Sequence, residues 1–216
     1  MKYKTANESF RKISEEKQNK IIEAALNEFA LYGYSEANIN KIAERANISV
    51  GSLYKYFNDK QNLYQTVVNI SSDTLQEVLG QILNENDDIF VIIEKIIRSI
   101  QKHGRTHENM FKLYNEMTAE NNSELTWKTA GRVEGVTADL YAALIEKAQK
   151  QSYARKDIDP RYFAFFLDNL FMLLQFSYSC EYYKERLKMY VGENAICDDD
   201  LMSEELIKFI KGAFSE

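Results

Sequence analysis

The sequence has few of the residues that interrupt helices or cross-link chains. Its 216 residues include one proline, eight glycines and two cysteines. With so few breakers, and with many leucine, alanine, glutamate and lysine residues, helix should dominate the fold. Cys180 and Cys197 are too few for a disulfide framework and show no metal-ligand spacing. We therefore predict an all-α protein without disulfides.

Long apolar runs are also missing. Uninterrupted apolar runs such as residues 89–93 and 170–174 are five residues long, whereas about 20 are needed to span a bilayer. The charged N-terminus is not followed by an apolar segment, so it does not have the pattern of a secretory signal. We expect no membrane association and a cytoplasmic location.

The net charge of −6 is unevenly distributed along the chain. Residues 1–70 carry ten lysines and arginines against eight acidic residues, and the remainder carries 17 against 25. The N-terminal third is therefore the part suited to face nucleic acid. Its first residues include Lys2, Lys4, Arg11 and Lys12, which are either a basic arm along a DNA backbone or a solvated tail.

Residues 38–57 have the pattern of two short helices separated by three residues. The first has apolar residues at i, i+3, i+4 and i+7, from Ile39 to Ala46. Asn38 can cap this helix, and Asn47 can end it in the left-handed conformation. Ser49 can cap the second helix, whose inward face is formed by Val50, Leu53 and Phe57.

The outward face of the second helix carries small and cationic residues. Gly51 and Ser52 leave room for a close approach to base edges in a DNA major groove. Donors for phosphates flank them, namely Tyr54, Lys55, Tyr56 and Lys60. The alternative is a corner between two helices in an unrelated helical protein.

The stretch FALYGYSEANINKIAERANISVGSLYKYFNDKQNLY, residues 29–64, resembles the DNA-binding domain of the TetR family of bacterial transcriptional regulators. The match includes the L-Y-x-Y-F signature at residues 53–57. The family often has two threonines opening its second helix and a glycine in the turn, where this chain has Ala37-Asn38 and Asn47.

The resemblance implies that Val50, Gly51 and Ser52 face bases, and that Tyr54, Tyr56 and Lys60 contact phosphates. The complete set of predicted DNA-binding residues is Asn38, Asn40, Ser49, Val50, Gly51, Ser52, Tyr54, Lys55, Tyr56 and Lys60. The differences from the family affect the expected base preference and leave the expected geometry unchanged.

The predicted domains are a helix-turn-helix domain at residues 1–60 and a helical regulatory and dimerisation domain at residues 61–216. A helix capped by Asn58-Asp59 should continue to about Ile82 without a flexible linker. The resemblance implies that this helix acts as a lever between the two domains. Further helices are predicted at about residues 87–104, 106–119, 123–151, 160–190 and 200–214.

Aromatic residues are dense between positions 162 and 190. We expect most of them in the core and in a dimer interface, and some in a pocket for a small ligand. The predicted pocket residues are Phe111, Tyr114, Trp127, Tyr141, Phe166 and Leu170. His103 and His107 have the i, i+4 spacing of two metal ligands, but Gly104 lies between them and a third ligand is missing. No metal or other cofactor is expected.

No phosphate-binding loop, nucleophile elbow or paired-carboxylate arrangement stands out, so we expect no enzymatic activity. The resemblance implies a homodimeric regulator that binds double-stranded DNA at an inverted-repeat operator. The most direct interpretation is a repressor released by a small apolar or aromatic ligand. One alternative is a regulator of the same fold controlled by a protein partner. Another is a helical-bundle ligand carrier or enzyme in which the helix-turn-helix is incidental.

Overall fold

The computed structural model describes residues 5–83, 87–119 and 123–214, and every regular element in these ranges is a helix. The all-α prediction is therefore confirmed. The helices are α1 (Glu8–Arg11), α2 (Glu15–Glu36), α3 (Ile39–Arg45), α4 (Val50–Phe57), α5 (Lys60–Ile82), α6 (Ile89–Thr106), α7 (Glu108–Ala119), α8 (Ser123–Lys150), α9 (Pro160–Ser179), α10 (Glu181–Val191) and α11 (Asp199–Phe214).

The chain folds into two compact units. One comprises Met1–Leu75 and Lys112–Arg132, and the other comprises Gln76–Phe111 and Val133–Glu216. The first unit contains the predicted helix-turn-helix, and we call it the DNA-binding unit after that prediction. The second is called the C-terminal unit. The sequence-based division at residue 60 stays a prediction.

Local side chains set the helix ends in the DNA-binding unit. The Ser14 side chain caps α2 by accepting from the Lys17 amide at 3.4 Å, and Asp59 caps α5 through the Asn62 amide at 2.7 Å. Gly33 interrupts α2 with φ 65°, a conformation that suits glycine. Asn47, with φ 53°, ends the first helix of the motif as predicted.

The N-terminal segment, residues 5–14, packs against the rest of the DNA-binding unit, which neither sequence interpretation of this segment anticipated. Phe10 is fully buried, with ring centroids 4.7 Å from Phe57 and 5.9 Å from Tyr56. Arg11 donates to a nearby carbonyl, and Lys12 forms an exposed ion pair with Glu8. Lys2 and Lys4 lie outside the described residues.

The C-terminal unit packs α6 against α9 at very short range. The buried face of α6 is the predicted run of isoleucines: Ile92, Ile93, Ile96, Ile97 and Ile100. At Gly104 a β-carbon would lie 2.7 Å from the Cβ of Tyr178. Only glycine fits this approach without a shift of α6 or α9.

The predicted single helix at residues 160–190 is wrong. The chain leaves the helical conformation at Cys180, with φ −110° and ψ 129°, and α10 continues at an angle of 104° to α9. The residues at the break are buried, and the Tyr178 hydroxyl donates to Asp199 Oδ1 at 3.0 Å. Contacts with distant segments accompany this break, so helical periodicity does not reveal it.

Within the described residues, no single helix is long and apolar enough to cross a membrane. The bent pair of α9 and α10 meets the length and composition only when both helices are counted together.

Candidate nucleic-acid interface

Helix α4 begins at a capped end and buries the face that the sequence predicts. The Ser49 hydroxyl accepts from the Ser52 amide at 3.1 Å, which satisfies one free donor of the first turn. Leu53 and Phe57 are buried, whereas Val50 is half-buried. The opposite face of α4 is consequently directed away from the core of its unit.

That outward face combines open space with polar groups. A β-carbon at Gly51 would have only Ser49 Oγ within 4 Å, at 3.9 Å. The Ser52 hydroxyl lies 2.8 Å from Ser49 Oγ, and Tyr54 and Lys55 are exposed. A DNA groove can therefore approach the start of α4 closely, with two donor side chains beside it.

Two further predicted contact residues, Asn38 and Asn40, lie at the start of α3. The Asn38 side chain accepts from the Asn40 amide at 2.9 Å, which confirms the predicted cap. Both asparagines are exposed, whereas Ile42 and Ala43 on the inner face of α3 are buried. The positive end of the helix dipole therefore lies beside two amide side chains.

Tyr56 and Lys60 already contact other parts of the DNA-binding unit. Tyr56 is only 8% exposed, beneath the N-terminal segment. The Lys60 ammonium donates to the Ser35 carbonyl at 3.0 Å and lies 5.2 Å from the centre of the Tyr34 ring. The phosphate roles of both residues stay predictions, and that of Tyr56 requires its hydroxyl to be reachable from outside.

The N-terminal segment supports the far end of α4. The Asn7 side chain and the Ser9 hydroxyl both donate to the Lys55 carbonyl at 2.9 Å, and the Asn7 amide donates to the Tyr56 carbonyl at 2.8 Å. These bonds satisfy carbonyls that a helix end leaves free. The sequence signal for this contact is Phe10, an apolar aromatic residue in a charged segment.

The similarity of this chain to known proteins identifies the motif. The family model of bacterial regulatory proteins, tetR family, matches residues 21–67. The HTH-type transcriptional regulator YhgD of Bacillus subtilis is 22% identical over 166 residues, which are 77% of this chain and 86% of YhgD. The chain belongs to the TetR family.

Solved TetR structures share the fold over nearly the whole chain. A TetR family transcriptional regulator from Chloroflexus aurantiacus matches with a TM-score of 0.71 and 22% identity, covering 96% of this chain and 97% of that one. NalD of Pseudomonas aeruginosa, the secondary repressor of the MexAB-OprM multidrug efflux pump, matches with a TM-score of 0.68 and 19% identity, covering 94% and 99%. This TetR-family protein is a DNA-binding transcriptional regulator and not an enzyme.

The predicted ligand residues of this regulator are distributed over both units. Tyr114 and Trp127 fall in the DNA-binding unit, and the side chain of Trp127 lies outside those that the structure describes. The other four residues, Phe111, Tyr141, Phe166 and Leu170, fall in the C-terminal unit. Their ligand-binding role stays a prediction.

Within the C-terminal unit these four residues differ in exposure. Tyr141 is buried, with its ring centroid 5.7 Å from that of Phe171. Phe166 is exposed, and Phe111 and Leu170 are half-buried. Burial, followed by the charge of Asp168, raises the pKa of the Tyr141 hydroxyl.

Asp168 is an unusual group between α8 and α9. Burial and the nearby Glu134 carboxylate raise its pKa to about 6, and a hydrogen bond with Thr137 opposes that rise. Among the side chains that the structure describes, no cationic group pairs with Asp168. Helical periodicity predicts α9 but does not show that this acidic position is half-buried beside a second carboxylate.

The two histidines are close to one another. His103 Nδ1 and His107 Nδ1 are 3.3 Å apart, and burial, His107 and Lys102 lower the pKa of His103. In the described part of the chain, no three histidine, cysteine, aspartate or glutamate residues form a group that could hold a metal ion.

Proposed function

We propose that this TetR-family regulator is a homodimeric repressor that binds an inverted-repeat operator and is released by a small apolar or aromatic ligand. The observation that carries the proposal is the outward face of α4. This face leaves space at Gly51 and exposes Tyr54 and Lys55 beside it. Such a face fits the floor and the walls of a major groove.

In this proposal the start of α4 reads bases through Val50, Gly51 and Ser52. Phosphate contacts come from Tyr54, Lys55, Tyr56 and Lys60, and Ser49 and the start of α3, with Asn38 and Asn40, lie beside the groove. Contacts with phosphates hold any sequence equally, whereas contacts with base edges distinguish sequences. The two groups of residues should therefore respond differently to mutation.

A single helix-turn-helix reads only a few base pairs, so useful specificity needs two copies on a two-fold axis. An exposed apolar stripe on α9 supports self-association, because Tyr162, Phe165, Phe166 and Leu173 all face solvent in the single chain. We propose that this stripe and the exposed Phe209 of α11 form the dimer interface. The exposed Phe166 fits this role as well as it fits a ligand pocket.

For ligand release we propose that residues 1–60 act as the DNA-binding domain and residues 61–216 as the regulatory domain. Helix α5 runs from Lys60 to Ile82 without a break, so a shift at its C-terminal end can reach α4. NalD, which shares this fold, is a repressor, and this supports repression over activation here. Ligand and operator should weaken each other's binding by the same factor.

The experiment begins with selection of bound duplexes from a random DNA pool by the full-length protein. We expect an inverted repeat and a protein that is a dimer at micromolar concentration. Compounds are then screened for release of the selected duplex. A monomeric protein or an asymmetric selected site would contradict the dimeric mode of binding, and equal ligand affinity with and without the duplex would contradict release.

Two substitutions test the residue roles on the selected duplex and on a scrambled one. Lys60→Ala should weaken both and reduce the salt slope by about one unit. Ser52→Ala should cost roughly 1–3 kcal/mol on the selected duplex only. Lys17→Ala, which removes an exposed lysine elsewhere in the unit, is the matched control for Lys60. The reverse pattern would mean that α4 is docked the wrong way round.

A further inference from the structure

Among the described side chains of the DNA-binding unit, Glu28 of α2 is the one buried carboxylate. The residue is 2% exposed and lies on the same helical stripe as Ile21 and Ala25. An acidic side chain is rarely buried unless it has partners, because removing its charge from water is costly. Glu28 therefore requires a structural explanation that apolar packing does not provide.

The partners of Glu28 lie at the two ends of α3. Its Oε1 accepts from the backbone amide of Asn38 at 3.1 Å, and its Oε2 accepts from Arg45 Nη1 at 2.8 Å. Asn38 is the N-cap of α3 and Arg45 is its last residue. Since side chains on a helix point toward its N-terminus, Arg45 can reach back along α3 to the carboxylate.

Helix α3 needs such a support. It is seven residues long, and a helix of this length has little stability of its own. Its apolar anchors are Ile42 and Ala43, which are buried in its middle. These anchors fix the depth of α3 in the unit, whereas the two bonds to Glu28 also fix its ends.

The outer side of this contact remains open. A surface pocket of about 470 Å³ is lined by Glu28, Tyr32, Glu36, Asn38, Lys41, Glu44 and Arg45. The Arg45 side chain is 43% exposed, so water can solvate its guanidinium if Glu28 is replaced. Loss of the carboxylate therefore leaves no buried unpaired cation.

We infer that Glu28 is a positioning residue for operator recognition, because it holds the start of α3 in the orientation that presents Asn38 and Asn40 to DNA. The inference rests on the proposed placement of these asparagines at the DNA. Glu28 itself is turned inward and makes no DNA contact. Its removal should therefore reduce the preference for the operator and leave binding to random DNA unchanged.

The test compares Glu28→Leu with Glu28→Gln on the selected and scrambled duplexes. Leucine fills the apolar site and removes both acceptors, so the melting temperature should stay close to that of the wild type. Affinity for the selected duplex should fall about tenfold, the size of one lost base contact. Glutamine keeps an oxygen for the Asn38 amide and should recover most of that loss. Glu23→Gln, at an exposed position of α2, is the control.

Binding is measured at a temperature where all four proteins are fully folded. A tenfold loss of the affinity ratio between selected and scrambled duplexes in Glu28→Leu, with rescue in Glu28→Gln, supports the positioning role. The inference is overturned if the ratio is unchanged, or if both duplexes lose affinity together with the melting temperature.

An independent readout is the amide resonance of Asn38 in the free protein. It should shift in Glu28→Leu and stay near its wild-type position in Glu23→Gln; an unshifted resonance in Glu28→Leu overturns the inference. Asn40→Ala then separates the two proposals. If that variant binds the operator normally while Glu28→Leu shifts the Asn38 amide and loses the affinity ratio, the proposed contact of Asn40 fails and the positioning role of Glu28 stands.

Discussion

Glu28 in the DNA-binding unit is a buried carboxylate and Asp168 in the C-terminal unit is a half-buried one, and their surroundings differ. Glu28 accepts from a guanidinium and from a backbone amide. Among the described side chains, the groups that act on the Asp168 carboxyl are the Thr137 hydroxyl and a second carboxylate, Glu134. A carboxylate with two well-placed donors can link two segments of the fold. A carboxylate beside a like charge is destabilised in its ionised form, so its contribution to stability depends on pH.

The largest effect should follow from reversing the charge at Glu28. Glu28→Lys places an ammonium in a buried site beside Arg45 and removes both acceptors. We expect the free energy of unfolding to fall by about 3 kcal/mol or more, measured by urea denaturation. Glu23→Lys, on the exposed side of the same helix, should change it by less than about 0.5 kcal/mol. Equal effects at the two positions would remove the distinction between Glu28 and a surface residue.

The opposite sign is expected at Asp168. Asp168→Asn removes a charge that burial and Glu134 disfavour, and it should stabilise the protein at pH 7.5 by about 1–2 kcal/mol after solvent screening. Thermal unfolding measured by circular dichroism gives the difference. A destabilised variant would mean that the ionised form of Asp168 has a compensating partner.

The same group predicts a pH dependence of stability. The pKa of Asp168 in the folded protein, about 6, lies above the ordinary value of 3.8. The folded protein therefore binds a proton between pH 6 and pH 4 that the unfolded chain does not, and the contribution of Asp168 to stability increases as pH falls through this range. In Asp168→Asn this contribution should be absent from the urea midpoint measured between pH 7.5 and pH 4.5.

A third carboxylate, Asp199, is paired with an arginine as Glu28 is, and loss of this pair should change stability less. Arg105 donates to both of its oxygens at 2.7 Å, and these bonds lower the pKa of Asp199. Asp199 thus stabilises the fold above pH 3.8, and this contribution is lost as pH falls through its folded-state pKa. Because both side chains are partly exposed, Arg105→Gln should cost about 1 kcal/mol at pH 7 and flatten the acid limb of the stability profile.

The smallest expected effect concerns the neighbour of Asp168. Glu134→Gln removes a like charge, so the pKa of Asp168 should fall below 6 while remaining above 3.8, because burial is the larger cause. Carboxyl NMR titration measures this directly, and the associated change in stability is about 0.5 kcal/mol. A pKa that returns fully to 3.8 would mean that the like charge, rather than burial, is the main cause.

The DNA-binding motif could be predicted from sequence because its helix ends are encoded locally. Ser49 caps α4 by accepting from the amide three positions later, and Asn47 ends α3 by adopting the left-handed conformation. Asp59 acts in the same way at the start of α5. Each signal lies within a few residues of its effect, where pattern and propensity apply.

The remaining features depend on partners far along the chain. The break at Cys180 accompanies packing of Tyr178 on Gly104 and its bond to Asp199. Glu28 binds Arg45, which is 17 positions away. A charged residue on the buried stripe of α2 indicates that such a contact exists but does not identify the partner. The candidate contact residues on α4 are predictions from the sequence, whereas the support beneath them depends on tertiary contacts.

The close approach at Gly104 also constrains how this protein can change over generations. A β-carbon there would collide with the β-carbon of Tyr178, which every residue except glycine carries. Only glycine at position 178 would make room for alanine at position 104. Substitution of Gly104, where α6 packs on α9, should therefore rarely be tolerated. A library of random variants selected for folding should retain glycine at position 104 even where the surrounding isoleucines exchange for valine or leucine.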